Sequence, residues 1–274
     1  MRLPSQLPQC VLASAGDKAA MSVRRLWFLG IIAGFYISLG AFLVTVISKD
    51  LPSGLGAGLT ALLSGAIFPV GLILIVIGGG ELFTGNCLMV IGRLDKKISL
   101  ARIGRNWALV YGANFCGALC LALLIWGSGL LQGTMAARTL EIALLKVNLS
   151  AGEIFFRAVL CNWLVALAVW LAAASLSVPG KVIMIWIPVM AFVTGSFEHC
   201  IANMYFFSAA LLVKAGPASL SGLPVPAEKL ESLNLNSCLA NIVPATLGNV
   251  AGAACLVVII YYLAYMGKEG AGNR

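Results

Sequence analysis

Charge is scarce in this 274-residue chain: Asp, Glu, Lys and Arg together make up 10% of it. Soluble domains carry about 25%. With 61% apolar residues and a mean hydropathy of +0.99, this deficit excludes an ordinary water-soluble globule and leaves an integral membrane protein. Histidine is almost absent too. His199 is the single one, so bis-histidine haem ligation within the chain is impossible. The eight cysteines (10, 87, 116, 120, 161, 200, 238 and 255) include no C-x-x-C pair. Cys116 and Cys120 share a helical face, but two thiols without a nearby histidine make a poor metal site. The cysteines read as small packing residues, and no metal or cofactor is expected. The G-x-S-G pattern of intramembrane serine proteases is also missing, which weakens an enzymatic reading.

The net charge of +8 does not point to nucleic acid, because the basic residues sit in short loops between apolar runs. The stretch "MRLPSQLPQCVLASAGDKAAMSVRRLW" is not expected to be a secretory signal. It has no unbroken apolar core and places Lys18, Arg24 and Arg25 late. Residues 1–25 are expected to be a cytoplasmic tail, 26–267 a membrane domain and 268–274 a second cytoplasmic tail.

A membrane-spanning helix needs about 20 apolar residues. Four runs fit, near 27–48, 106–131, 157–178 and 240–266. Two others, near 55–91 and 182–213, are too long for one perpendicular helix and too short for two. Each contains one polar cluster, "GGGELFTGNC" (78–87) and "GSFEHCIANM" (195–204). A discontinuous helix explains both the length and the polarity, since irregular backbone at membrane depth survives only where protein buries it or a polar cavity meets it. The expected fold is therefore an all-α membrane protein of six spans with the second and fifth broken. With both ends on one side, twelve of the 18 Lys and Arg fall on that side, which makes it the cytoplasmic one.

The two halves share text. "ANFCGALCLALL" (113–124) aligns without gaps on "GNVAGAACLVVI" (248–259), pairing Asn114 with Asn249 and Gly117 with Gly252. Both breaks carry Glu-x4-Asn, Glu81 to Asn86 and Glu198 to Asn203. Three spans per repeat means opposite insertion of the halves, the inverted plan of many transport proteins. Glu81 and Glu198 are costly in a bilayer and must face protein or water. Their expected role is to hold the broken backbone by accepting bonds from free N–H groups. Thr84 is the expected N-cap of a short half-helix, whose positive end favours an anion. His199, with an ordinary pKa near 6.5, is able to donate a hydrogen bond to a passing anion or a proton to it.

"GGGELFTGN", "LCNWLVALAVW" (160–170), "GSFEHCIANM" and "TLGNVAGA" (246–253) together resemble the formate–nitrite transporter family, over about residues 25–266. The resemblance implies an aquaporin-like fold, a homopentamer with one pore per protomer in the cytoplasmic membrane, and passage of small monovalent anions without ATP. Formate is the expected substrate, with nitrite or hydrosulfide as alternatives inside the family and a neutral-solute channel outside it. Protons and the lipid bilayer are the other expected partners. By the same resemblance, Leu82, Phe83 and Thr84 match the irregular stretch, His199 the central histidine, Asn162 a pore-lining asparagine and Lys146 a vestibule lysine. Phe68 and Phe192 match an outer constriction, Leu72 and Leu82 an inner one, with Val165 near the path. Asn203 and Asn249 match positions read as scaffold.

Overall fold

Backbone polar groups inside a bilayer have no water to bond, so a long apolar run is stable as a helix. The computed structural model describes residues 1–49, 56–216 and 225–267, and its regular elements are all helical. The tail expected at 268–274 lies outside the described residues. In chain order, α1 (Leu7–Ala20) and α2 (Val23–Ser48) are followed by α3 (Gly56–Ile67) and α4 (Val70–Gly78). Then come the short α5 (Phe83–Asn86), a 3-10 turn at Cys87–Met89 and α6 (Val90–Leu94). Next are α7 (Leu100–Gly127), α8 (Gly133–Val147), α9 (Ala151–Ala174), α10 (Val178–Thr194) and α11 (Cys200–Ala215). The chain ends in α12 (Ala227–Glu231), α13 (Leu235–Ala253), a π-helical stretch at Ala254–Ile259 and α14 (Ile260–Tyr265).

Among the described residues, five segments are long and apolar enough to cross a membrane: Val23–Ser48, Gly56–Gly78, Leu100–Gly127, Ala151–Ala174 and Leu235–Tyr265. α10 and α11 are shorter apolar helices. The helix starts are written into the sequence. Ser22, Ser99, Ser150, Ser177 and Asn234 each accept a hydrogen bond from a first-turn backbone N–H, capping α2, α7, α9, α10 and α13. Ser150 completes a capping box with Glu153. Such a cap contributes about 1 kcal/mol.

Both long runs break where their polar clusters lie. α4 ends at Gly79, whose φ of +86° is open to glycine and costly for other residues. Extended backbone then leads into α5. α10 stops at Thr194, and Ser196 (φ 55°) turns the chain before α11 begins at Cys200.

α2 packs along α7, and α9 along α13. The approach is backbone to backbone at the glycines the internal alignment paired. A Cβ on Gly117 would lie 2.1 Å from the Ile31 carbonyl oxygen, and one on Gly252 would lie 2.2 Å from that of Val159. Small residues allow this closeness between membrane helices.

The start of the chain carries regular structure that the sequence gives no expectation of. Residues 7–20, assigned to a tail, form a helix whose Leu7, Val11, Leu12, Ala15 and Ala19 are buried. Its residues face α6, α7 and α9. The apolar positions are interrupted by Gly16, Asp17 and Lys18, so no long apolar run marks the segment.

Candidate functional site

The two breaks are held by the two asparagines of the repeat. Asn114 donates from Nδ2 to the carbonyls of Gly30 (2.8 Å) and Glu81 (2.9 Å), while its Oδ1 accepts the Phe83 N–H (3.0 Å). Asn249 does the same in the other half. Its Nδ2 donates to the Ala158 (2.8 Å) and Glu198 (3.0 Å) carbonyls and its Oδ1 accepts the Cys200 N–H (3.0 Å). Both amide N–H groups and one carbonyl lone pair of each asparagine are thus spent on backbone, at the break and on the neighbouring helix.

The buried carboxylates do something else. Glu81 was expected to accept from free backbone N–H groups; its oxygens instead take the Lys18 ammonium (2.5 Å) and the Asn86 amide (2.8 Å). Asn86 also donates to Asn106 Oδ1 (2.9 Å), and Asn106 donates to the Lys18 carbonyl (3.2 Å). Glu198 repeats this circuit. It takes Lys146 (2.8 Å) and Asn203 (2.7 Å), Asn203 donates to Asn241 Oδ1 (2.8 Å), and Asn241 donates to the Lys146 carbonyl (3.1 Å). Each carboxylate is at most 4% exposed, and a buried charge is tolerable only when paired and fully bonded.

Lys18, Asn106 and Asn241 were missed by the sequence reading. The signals were available. Lys18 and Lys146 each precede a capping serine by four residues (Ser22 and Ser150), and Asn106 and Asn241 each precede the bridging asparagine by eight.

Between the circuits the breaks meet. Thr84 Oγ1 lies 3.1 Å from His199 Nε2. Thr84 is not the N-cap expected: α5 starts from Leu82, which has no capping side-chain bond. The cap that exists belongs to His199, whose Nδ1 accepts the Ala202 N–H at 3.1 Å. With Nδ1 an acceptor, the neutral ring carries its proton on Nε2 and donates to the Thr84 hydroxyl, a tautomer assigned from the bonding pattern. Asn162 donates to the carbonyls of Thr84 (3.2 Å) and Asn249 (2.7 Å), leaving its buried Oδ1 without a partner.

The Phe192 ring stacks on His199 at 5.9 Å and meets Phe68 edge-on at 5.4 Å. Both phenylalanines line one wall of a cavity of about 590 Å³ that also reaches Lys146, Glu198, His199 and Arg157. A smaller cavity of about 90 Å³ is lined by Val11, Ala15 and Lys18 of α1 together with Gly85, Leu88, Val169 and Ala173. Leu72, Leu82, Phe83 and Val165 line neither cavity and are buried. Phe83 packs edge-on to Trp107 and Tyr111. The structure therefore brings Thr84, Asn162, His199 and the two phenylalanines into one neighbourhood, with a lysine–carboxylate pair beside each cavity.

The chain as a whole is similar to known proteins. The formate/nitrite transporter family model matches residues 6–263, so the resemblance read from residue 25 onward extends back through α1. The formate channel BtFdhC of Bacillus thuringiensis is 36% identical, with 96% of this chain and 95% of that protein covered. The formate channel FocA of Escherichia coli K12 is 30% identical, over 96% of this chain and 94% of its own. A solved structure described as a pentameric formate channel with formate bound superposes with a TM-score of 0.78 at 32% identity, covering 89% of this chain and 98% of that one. The chain belongs to the formate/nitrite transporter family.

Proposed function

We propose that the protein is a formate channel, passing formate and similar small monovalent anions with an accompanying proton. Each protomer is a six-span unit of aquaporin-like inverted-repeat design, in a homopentamer in the cytoplasmic membrane with both termini cytoplasmic. The repeat reading rests on the two matching circuits and bridging asparagines, the orientation on the lysine and arginine distribution. Relatives named as formate channels and a pentameric formate-channel structure support the substrate and the assembly.

The observation that carries the mechanism is the central contact. The Thr84 hydroxyl, accepting from His199 Nε2, keeps its own proton to donate. The nearby Asn162 Oδ1 is buried with nothing to accept. One donor and one acceptor match the carbonyl and hydroxyl of neutral formic acid. A bare formate offers two acceptors and would turn an oxygen toward Asn162 Oδ1. Stripping water from an anion beside Phe68 and Phe192 is also expensive. The anion therefore gains its proton in the larger cavity, before the aromatic pair, and crosses the midpoint as the neutral acid. Flux rises as pH falls because the fraction of acid rises.

The test is flux into proteoliposomes of formate, nitrite, hydrosulfide, lactate and glycerol between about pH 5 and about pH 8. Formate uptake that climbs with acidity and carries protons supports the reading. Glycerol flux without formate flux assigns a neutral-solute channel instead.

A further inference from the structure

Lys146, matched above to a vestibule lysine, has its ammonium bound to Glu198 at 2.8 Å. A paired charge has little field left for a solute. Arg138, also on the cavity wall, is engaged in the same way, by Glu141 at 2.7 Å and the Ser48 hydroxyl at 2.9 Å. The third cation lining the cavity is Arg157, on the second turn of α9. Among the described residues its guanidinium makes no hydrogen bond and no ion pair. Glu153, one turn earlier on the same helix, feels the Arg157 charge, but its carboxylate is bonded by the Ser150 N–H and hydroxyl, both at 2.8 Å. The Arg157 carbonyl accepts the Glu198 N–H at 3.4 Å, so its Cα is fixed to the break that carries His199.

We infer that Arg157 is the docking cation of this vestibule, holding planar two-oxygen anions by both oxygens before they reach Phe68 and Phe192. A guanidinium is a rigid planar fork that matches a carboxylate or nitrite through two parallel N–H···O bonds; a lysine ammonium is a point charge. Hydrosulfide, with a single acceptor atom, meets the fork only through two bent N–H···S contacts converging on one sulfur. Half-buried and lining the same cavity as Phe68 and Phe192, Arg157 sits where an anion sheds part of its hydration, and a charge-assisted pair is stronger there than in bulk water. The residue thus ranks formate and nitrite above hydrosulfide at entry.

This inference rests on the channel reading, and the experiment separates the two. Initial rates for formate and hydrosulfide are measured in proteoliposomes carrying the wild-type protein, Arg157→Lys or Arg157→Gln, each first checked for assembly by size-exclusion chromatography. The Lys variant keeps the charge and loses the fork. Its half-saturating formate concentration is expected to rise about tenfold, the equivalent of one good hydrogen bond, while that for hydrosulfide is unchanged. Arg157→Gln is expected to raise both. Identical formate saturation in Arg157→Lys and wild type overturns the fork, as does an equal rise for both anions in that variant. A wild-type protein that carries neither anion overturns the channel reading itself.

Discussion

Thr84 Oγ1 and His199 Nε2, 115 residues apart in sequence, lie 3.1 Å apart in the structure. This contact exists because each residue sits at an interrupted helix, and each interruption is fastened by one asparagine, Asn114 or Asn249, to a neighbouring pair of helices. The histidine reaches Thr84 through Nε2 because Nδ1 is committed to the Ala202 N–H. Becoming a cation would cost that cap, since a doubly protonated ring has no acceptor nitrogen.

His199 therefore acts as a neutral donor and a cap. Asparagine is a good N-cap and a neutral donor, so His199→Asn is expected to keep formate flux within about tenfold and to leave its rise at low pH intact. His199→Leu removes both the cap and the donor, costing about 1 kcal/mol for the cap and most of the flux. Stopped-flow uptake across pH decides. A pH profile that flattens in the Asn variant would show that the ring itself carries the proton.

The bridging asparagines carry the breaks, so their removal is expected to show in stability more than in selectivity. Asn114→Ala takes from the buried Phe83 N–H and Glu81 carbonyl the partner they have here, and removes an additional donor from the helical Gly30 carbonyl. Each buried unsatisfied group costs about 1–3 kcal/mol. Asn249→Ala is expected to match it, because the bonds correspond one for one. Thermal unfolding in detergent, read as loss of the assembled protein on size exclusion, checks both.

How far these features were legible in the sequence differs from one to the next. The breaks were legible, because Glu81 and Glu198 have no place in an uninterrupted apolar helix. Pairing of Asn114 with Asn249 was legible as a repeat, yet the amide bonds that follow from it were not, since an alignment pairs positions without saying what each touches. The sequence points the glutamates at backbone because an interrupted helix leaves N–H groups free beside them; their partners, Lys18 and Lys146, come from distant helices. α1 went unread because its buried residues are too few and too widely spaced to make an apolar run, although Lys18 and Ser22 repeat Lys146 and Ser150.

Close helix packing is expected to be intolerant at the matched glycines. A methyl at Gly117 meets the Ile31 carbonyl oxygen at 2.1 Å, and one at Gly252 meets that of Val159 at 2.2 Å. In both cases the obstacle is backbone, which has no rotamer to yield. Overpacking typically costs about 1–3 kcal/mol, and Gly117→Ala or Gly252→Ala is expected at or above the upper end. Comparison with Gly104→Ala, where nothing lies within 4 Å of the added Cβ, separates packing from helix propensity: that change is expected to be neutral or stabilising in the same unfolding assay.

The two lysine–carboxylate pairs give a sharper test, because an isolated buried charge is worse than no charge. Lys18→Met leaves Glu81 with only the Asn86 amide. Removing one partner of a buried pair costs about 3–5 kcal/mol, whereas replacing both is often close to neutral. The single variant is therefore expected to lose most of its assembled protein on mild heating, and Lys18→Met with Glu81→Gln to recover much of it. Lys146→Met and Glu198→Gln repeat the design on the other circuit. If these pairs serve only stability, the double variants recover formate flux along with assembly. If the Lys146–Glu198 pair also helps bring a proton to the anion, its double variant recovers assembly and loses the acid-stimulated part of the flux. The Lys18–Glu81 double variant, on the far side of the Thr84–His199 contact, then keeps the acid response for anions entering through the larger cavity. Flux measured with a pH gradient imposed in each direction distinguishes these outcomes.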